Sequence, residues 1–219
     1  MIEPGELSEW LNQSLSVVGL ATTPLEILGF ITGAICVYLN TQQNVWGWFF
    51  GIINAVLYTV VFWQARLYAD MGLQGYYFFT SIYGWWMWLY GGKNNEELPV
   101  TKTPVRLYGL FTVLFLVATG MWGYLLGRFT DASFSYLDSA LTAASLIGQY
   151  MMARKYLENW LVWIVADACY VVMYLYKDLH LTALLYAVFL GLAVMGYLQW
   201  RRAHHLSDPA EEELLRQSN

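Results

Sequence analysis

The stretch Ile82–Gly92 reads IYGWWMWLYGG and holds three tryptophans and two tyrosines in eleven residues. Rings at that density form a membrane belt, a packed core or the walls of a binding site. Sliding the sequence over itself by 112 residues puts Gly84 on Gly196 and Trp88 on Trp200. The same register pairs Trp48 with Trp160, Tyr58 with Tyr170, Val60 with Val172, Tyr38 with Tyr150 and the acid Glu26 with the acid Asp138. No gap is needed from Leu25 to Trp88. Single matches mean little in an apolar chain, but an ungapped register that aligns Trp and Gly reads as an internal duplication.

Composition names the solvent. The 219 residues are 58% hydrophobic and 12% charged, with a mean hydropathy of +0.42. A soluble domain carries roughly twice that charge fraction, so the excess apolar surface belongs in a bilayer. The net charge of −5 and eleven scattered basic residues make no patch for nucleic acid. Cys36 and Cys169 lie in separate apolar runs, and nothing in the sequence pairs them. No Cys–His cluster has metal-ligand spacing, and His204–His205 reads as a solvated tail dipeptide. The acidic start MIEPGELSEW is not a secretory signal.

A spanning helix needs about 20 mostly apolar residues. Seven runs qualify: 24–40, 46–63, 70–91, 105–125, 136–153, 159–176 and 180–200. Their Val, Ile, Phe and Tyr content suits strands, but barrel strands alternate over about ten residues, whereas these runs are longer and apolar all round. Residues 6–18 carry apolar positions at Leu7, Trp10, Leu11, Leu15 and Val18, which predicts a short amphipathic helix on the membrane surface. With the N-terminus outside, the inner segments hold eight Lys and Arg and the outer ones three, so the positive-inside rule gives N-out and C-in.

The duplicated unit covers three spans. An odd unit inverts its second copy, and the extra span at 105–125 restores direction. The expected fold is all-α: seven transmembrane helices as 3+1+3, two parallel three-helix repeats joined by a linker helix. The expected boundaries are an interfacial segment 1–23, a first repeat 24–91, a loop and linker 92–135, a second repeat 136–200 and a polar cytoplasmic tail 201–219. Transporters built from such repeats bind substrate near the bilayer midplane between them.

Polar groups at membrane depth mark function or helix contacts. Asn54 and Gln64 lie on the second span and Gln74 on the third. Asp138 and Gln149 lie on the fifth; Asn159 starts the sixth and Asp167 follows two turns in. Asp167 is the strongest signal; its bland alternative is a hydrogen bond to a neighbour such as Tyr170. Asn54 sits one residue from the repeat equivalent of Asp167, which places two polar groups at like depth. Trp88 and Trp200 stand at span ends beside Lys93 and Arg201, where a membrane belt is expected. Trp85 and Trp86 point about 100° apart on a helix, so their roles differ; Trp163 lies one turn past Trp160. Trp and Tyr with amides and carboxylates suit a flat, polar, cationic ligand. Gly29 with Gly33 and Gly47 with Gly51 have helix-packing spacing, with a hinge as the alternative.

These residues resemble the PnuC family of nicotinamide riboside transporters over roughly 24–200. The matching pieces are GIINAVLYTVVFWQARLYA from Gly51, LQGYYFFTSIYGWWMW from Leu73 and ARKYLENWLVWIVADA from Ala153. The tract Arg154-Lys155-Tyr156 followed by Glu158-Asn159-Trp160 is the most distinctive, and it is read as loop structure and topology rather than ligand contact. The resemblance implies a fold related to SWEET sugar transporters, facilitated diffusion of nicotinamide riboside across the inner membrane, a homotrimer, and trapping of the cargo by a cytoplasmic riboside kinase. The candidate substrate-binding set is Asn54, Gln74, Trp85, Trp86, Asp138, Gln149, Asn159, Trp163 and Asp167. Trp85 or Trp86 and Trp163 would stack on the pyridinium, Asn54 and Gln74 would hold the carboxamide or ribose, and Asp138 or Asp167 would offset the charge. No cofactor or metal is expected, and no Gly-x-x-x-x-Gly-Lys-Ser/Thr loop is present to drive transport by nucleotide hydrolysis.

The alternatives are a sister transporter for thiamine, riboflavin or another nucleoside, with Asp167 as a proton carrier, a seven-helix photoreceptor and an intramembrane enzyme. A photoreceptor needs a buried Schiff-base lysine, and Lys93, Lys102, Lys155 and Lys177 all lie at loops or span ends. An enzyme needs a nucleophile with its base, and His180 has no convincing partner.

Overall fold

The computed structural model describes residues 15–17, 20–64, 66, 68–129, 135–176 and 180–206. Seven long helices carry the fold: α1 Pro24–Thr41, α2 Trp46–Gln64, α3 Tyr68–Tyr90, α4 Val105–Phe129, α5 Ser135–Ala153, α6 Asn159–Tyr176 and α7 His180–Leu206. Five are long and apolar enough to cross a membrane, namely α1, α2, α4, α6 and the Ala183–Leu206 part of α7. The other two, α3 and α5, are diluted by buried polar residues: Gln74, Thr80 and Ser81 on α3, and Ser139 and Ser145 on α5.

Local chemistry sets the ends. Thr23 and Glu26 form a capping box at α1, with Pro24 in the first turn, where its missing N–H costs nothing. The Asn44 side chain accepts from the Trp46 amide at 3.0 Å and opens α2. α7 runs six residues beyond the expected end at 200, so His204 and His205 are helical. His204 Nδ1 lies 3.2 Å from the Val100 carbonyl, which corrects the solvated-tail reading of this residue.

One expectation fails in the described part of the N-terminal segment. Leu15–Val17 is a strand, β1, paired antiparallel with β2, Leu20–Thr22. Two short strands satisfy each other's backbone groups, and the β-branched Val17 and Thr22 favour them. The rest of the helix expected over 6–18 lies outside the described residues.

α1, α2 and α3 pack in chain order, as do α5, α6 and α7, and α4 lies against α5. The two groups meet along α1–α7 and α3–α5. The 112-residue offset recurs in these contacts: shifting α1 and α7 by it exchanges one interface for the other. Helices α5, α6 and α7 begin 111, 113 and 112 residues after α1, α2 and α3.

Both interfaces converge on a tryptophan cluster at the end of the bundle that holds the loops 42–45, 91–104 and 154–158. Trp48, Trp88, Trp160 and Trp200 are each at most 2% exposed, so Trp88 and Trp200 are core, not belt. The physical reason is packing from residues distant in sequence. Trp48 meets Trp88 edge-on at 5.3 Å, and Trp160 meets Trp200 edge-on at 5.4 Å. Trp88 and Trp200 touch each other at 5.7 Å. Trp88 Nε1 donates to the Met152 carbonyl at 3.1 Å, and Trp200 Nε1 donates to the Asn40 carbonyl at 3.0 Å. Met152 is Asn40 shifted by 112 residues, and the two side chains meet, with Asn40 Nδ2 3.3 Å from the Met152 sulfur. Gly84 and Gly196 make room for the rings: a Cβ there would stand 2.5 Å from Trp48 and 2.6 Å from Trp160. Gly29, Gly33, Gly47 and Gly51 likewise face side chains of neighbouring helices, in keeping with close packing.

The segment 91–104 straps this end. Its Leu98 and Val100 are buried under the tryptophans. Leu98 N–H donates to the Trp88 carbonyl at 3.1 Å. Thr101 bridges in parallel to Tyr156, donating to Lys155 O at 3.1 Å and accepting from Leu157 N–H at 2.9 Å. Thr103 gives both its N–H and its hydroxyl to Glu158, each at 2.8 Å.

Candidate functional site

The polar residues of the interior fall into two places. One lies toward the bundle end opposite the tryptophans, where α3, α5, α6 and α7 meet. Asp167 is 6% exposed on α6, and its near neighbours are the phenols of Tyr170 and Tyr186. Asp138, in the first turn of α5, lies near Tyr170 and Tyr174. The three tyrosines form a nest: Tyr170–Tyr186 at 4.5 Å, Tyr174–Tyr186 at 5.2 Å and Tyr170–Tyr174 at 6.1 Å between ring centroids. Ser145 of α5 lies within hydrogen-bonding reach of both Tyr170 and Tyr77 of α3. Tyr76 donates to the Leu146 carbonyl at 2.8 Å and fastens α3 to α5. Gln74 is buried on α3, one turn from Tyr77, and Gln149 is half-buried on α5. Phenol faces attract a cation, phenol hydroxyls exchange hydrogen bonds with ribose-like hydroxyls, and buried carboxylates favour positive charge.

The second place is the tryptophan end. Asn159 is fully buried there, one residue before Trp160, with its NH2 donated to the Tyr156 carbonyl at 2.6 Å. Trp163 is half-buried against Gly148, and its indole N–H is buried with no partner among the described residues. Between the two places Tyr83 and Tyr150 lie parallel, 5° apart in plane and 6.5 Å between centroids. Arg154 reaches the Tyr83 hydroxyl at 3.3 Å, and that bond holds its guanidinium above its ordinary pKa.

The structure brings Gln74, Asp138 and Asp167 toward one nest. It keeps others apart from it. Asn54 Nδ2 donates to the Gly29 carbonyl at 2.5 Å and to the Thr32 hydroxyl at 3.3 Å, so it ties α2 to α1. Trp85 packs on Trp46 and Phe49 of α2, each at 5.9 Å. Trp86 is 57% exposed on the outer face, where lipid rather than ligand meets it. Sequence reasoning missed Tyr77, Ser145, Tyr174 and Tyr186. The i, i+4 spacing of Tyr170 and Tyr174 was a signal for one of them; Tyr77 and Tyr186 arrive from other helices and left none.

The profile of a family described as "Nicotinamide mononucleotide transporter" matches residues 23–202. The chain is 29% identical over 202 residues to the Escherichia coli "Nicotinamide riboside transporter PnuC", covering 80% of this chain and 84% of that protein. A Haemophilus influenzae protein of the same name is 25% identical, covering 81% and 79%. The "Riboflavin/roseoflavin transporter RibM" of Streptomyces davaonensis is 20% identical, covering 80% and 83%. Among solved structures, the crystal structure of the vitamin B3 transporter PnuC superposes with a TM-score of 0.63 at 24% identity, covering 82% of this chain and 81% of that one, which shows the fold.

Proposed function

The chain belongs to the nicotinamide mononucleotide transporter family, and from that membership we propose that it takes up nicotinamide riboside. It is a multi-pass membrane protein. The observation that carries the substrate is that the relatives sharing 25–29% identity over about four fifths of the chain bear the name of that cargo. The chemistry of the nest agrees. Nicotinamide riboside is a flat pyridinium cation with a carboxamide and ribose hydroxyls. Asp167, with Asp138 behind it, offsets the charge, Tyr170 and Tyr186 face the ring, and Gln74, Tyr77 and Gln149 take the amide and hydroxyls. Trp163 closes the inner side, and Asn54 and Asn159 hold the helices around the site.

The cargo binds between two parallel three-helix repeats, α1–α3 and α5–α7, with α4 as the linker, and the repeats rock to change access. The transport is facilitated diffusion in the inner membrane, N-terminus outside. Three copies form the working unit, and a cytoplasmic riboside kinase traps the cargo. The reading makes the protein a carrier and not an enzyme.

The match to a riboflavin transporter supports a second reading, in which the same nest holds a larger flat ring. Isothermal titration of the detergent-purified protein separates them. Saturable binding of nicotinamide riboside with none of riboflavin, thiamine or uridine is the expected result. Binding of riboflavin alone replaces the cargo and keeps the site.

A further inference from the structure

We infer that the segment 91–104 is the latch of an exit gate at the tryptophan end, and that the gate proper is the Trp88–Trp200 contact; this rests on the transport reading above. Cargo leaving the nest toward the loop-rich end meets the four tryptophans, which fill the space between the two helix groups. A cavity of about 310 Å³ opens on their far side, lined among others by Gln43, Asn44, Trp46, Trp88, Glu97 and Lys155. The rings therefore stand between a hollow that already reaches the loops and the nest, with the stacked Tyr83 and Tyr150 on the nest side.

Opening the partition means separating α3 from α7. That parts the Trp88–Trp200 pair and breaks two bonds related by the repeat, Trp88 Nε1 to Met152 O and Trp200 Nε1 to Asn40 O. The strap opposes this from both sides. It leaves the end of α3 and is held to Trp88 itself through the Leu98 amide. It is then stitched to the α5–α6 loop by the Thr101 bridge and by Glu158 on Thr103, and to α7 through His204 on Val100. One short segment thus ties the end of the first helix group to the second, across the seam that must part. Helix ends joined by such a tie cannot separate unless the strap releases the α5–α6 loop. The partition is also poorly satisfied when shut: the indole N–H groups of Trp48 and Trp160 and the side-chain oxygens of Asn40 and Asn159 are buried without partners among the described residues. Burying such groups is costly, so the closed gate is held by its latch and not by saturated bonding.

The test bridges the latch. Thr103→Cys/Glu158→Cys is reconstituted and joined by a short, reducible bifunctional thiol reagent, with each single variant treated alike. Bridged protein is expected to bind nicotinamide riboside within twofold of the reduced form, to lose at least tenfold in vesicle uptake, and to recover on reduction. Bridged protein that transports within twofold of the reduced form overturns the latch. Uptake by the unmodified chain reports on the substrate reading alone. Hydrogen exchange on the unmodified chain gives an answer free of substitutions: the Leu98, Thr101 and Leu157 amides exchange at least fivefold faster during turnover than without cargo. Unchanged exchange at all three overturns the latch too.

Discussion

The tryptophan end and the tyrosine nest obey the internal repeat differently. At the tryptophan end the rings and the glycines that make room for them agree between the halves, Trp48 with Trp160, Gly84 with Gly196 and Trp88 with Trp200, down to the mirrored indole bonds, while Met152 stands for Asn40 and Asn159 for Gly47. In the nest they part: Asp167 answers to Ala55, Tyr186 to Gln74, Tyr174 to Phe62 and Ser145 to Gly33. What survives there is the scaffold, with Tyr58 stacked on Phe62 at 5.8 Å where Tyr170 stacks on Tyr174 at 6.1 Å. A seal between two like bundles is itself two-fold, so both copies of its residues do the same work. A ligand with a charged ring at one end and a sugar at the other has no such symmetry. A nest built from one helix of the first group and three of the second has no need of the repeat's symmetry to hold it.

The largest effect expected from this comparison is at the seal. Trp88→Ala and Trp200→Ala each remove a buried ring, an edge-on ring contact and a bond to backbone, at about 3–5 kcal/mol. The bilayer tails are as apolar as the core, so this loss is one of packing and bonding more than of hydrophobic burial. Thermal unfolding in detergent is expected to show drops equal within about 1 kcal/mol, narrower than the spread that differing surroundings give such truncations. A large drop for one and almost none for the other breaks the symmetry.

Next comes the nest. Asp167→Ala is expected to weaken binding of nicotinamide riboside tenfold or more, about 1.4 kcal/mol, because a buried carboxylate offsets a cation more strongly than an exposed one. Ala55→Ser, at the matching position of the first half, leaves affinity within twofold. Titration calorimetry reads both. Equal effects at the two positions place the cargo symmetrically across the axis and remove the reason for the asymmetry.

Most of the frame was legible in the sequence. The helix starts matched within two residues because Thr23, Pro24, Asn44 and Pro104 announce three of them and because apolar runs admit only one way to satisfy their backbone in lipid, while α4 and α7 run four and six residues past their expected ends. Asp167 was legible as a charge inside such a run. Trp88 and Trp200 were misread for a reason of distance. Each stands next to a cation at a helix end, which is what a belt residue does, and its burial is decided by a ring 112 residues away. The nest was half-read in the same way: Asp138, Gln74 and Asp167 stood out as polar, but the tyrosines around them are ordinary in such a chain until four helices bring them together. Leu15–Val17 was misread because Leu15 continues a helical stripe while Leu15 and Val17, alternating about Ser16, fit a strand equally well.

The smallest effect concerns the charge that lies on the seal. Lys155 has φ 49°, is 4% exposed, and holds its ammonium 4.7 Å from the centre of the Trp88 ring. Burial pushes its pKa down from 10.5 to about 8, with Glu97 pulling the other way. That depression is worth roughly 3 kcal/mol, more than the ~1–2 kcal/mol of a cation over an indole, so the charged lysine is a net cost to the closed seal. Below about pH 8 folded and unfolded chains both carry the proton, and the cost is felt in full. Between about 8 and 10.5 the folded chain sheds the proton while the unfolded chain keeps it, so stability rises with pH through that window. Thermal melts are expected to show Lys155→Met at least as stable as the natural chain at pH 7, with the gap closing by a few degrees, ~2–4 °C per kcal/mol, between pH 8 and 10. Parallel curves for the two proteins across that range deny the lysine this role. A closing gap means that the seal carries one asymmetric burden of its own, a buried charge whose counterpart in the first half is the neutral Gln43.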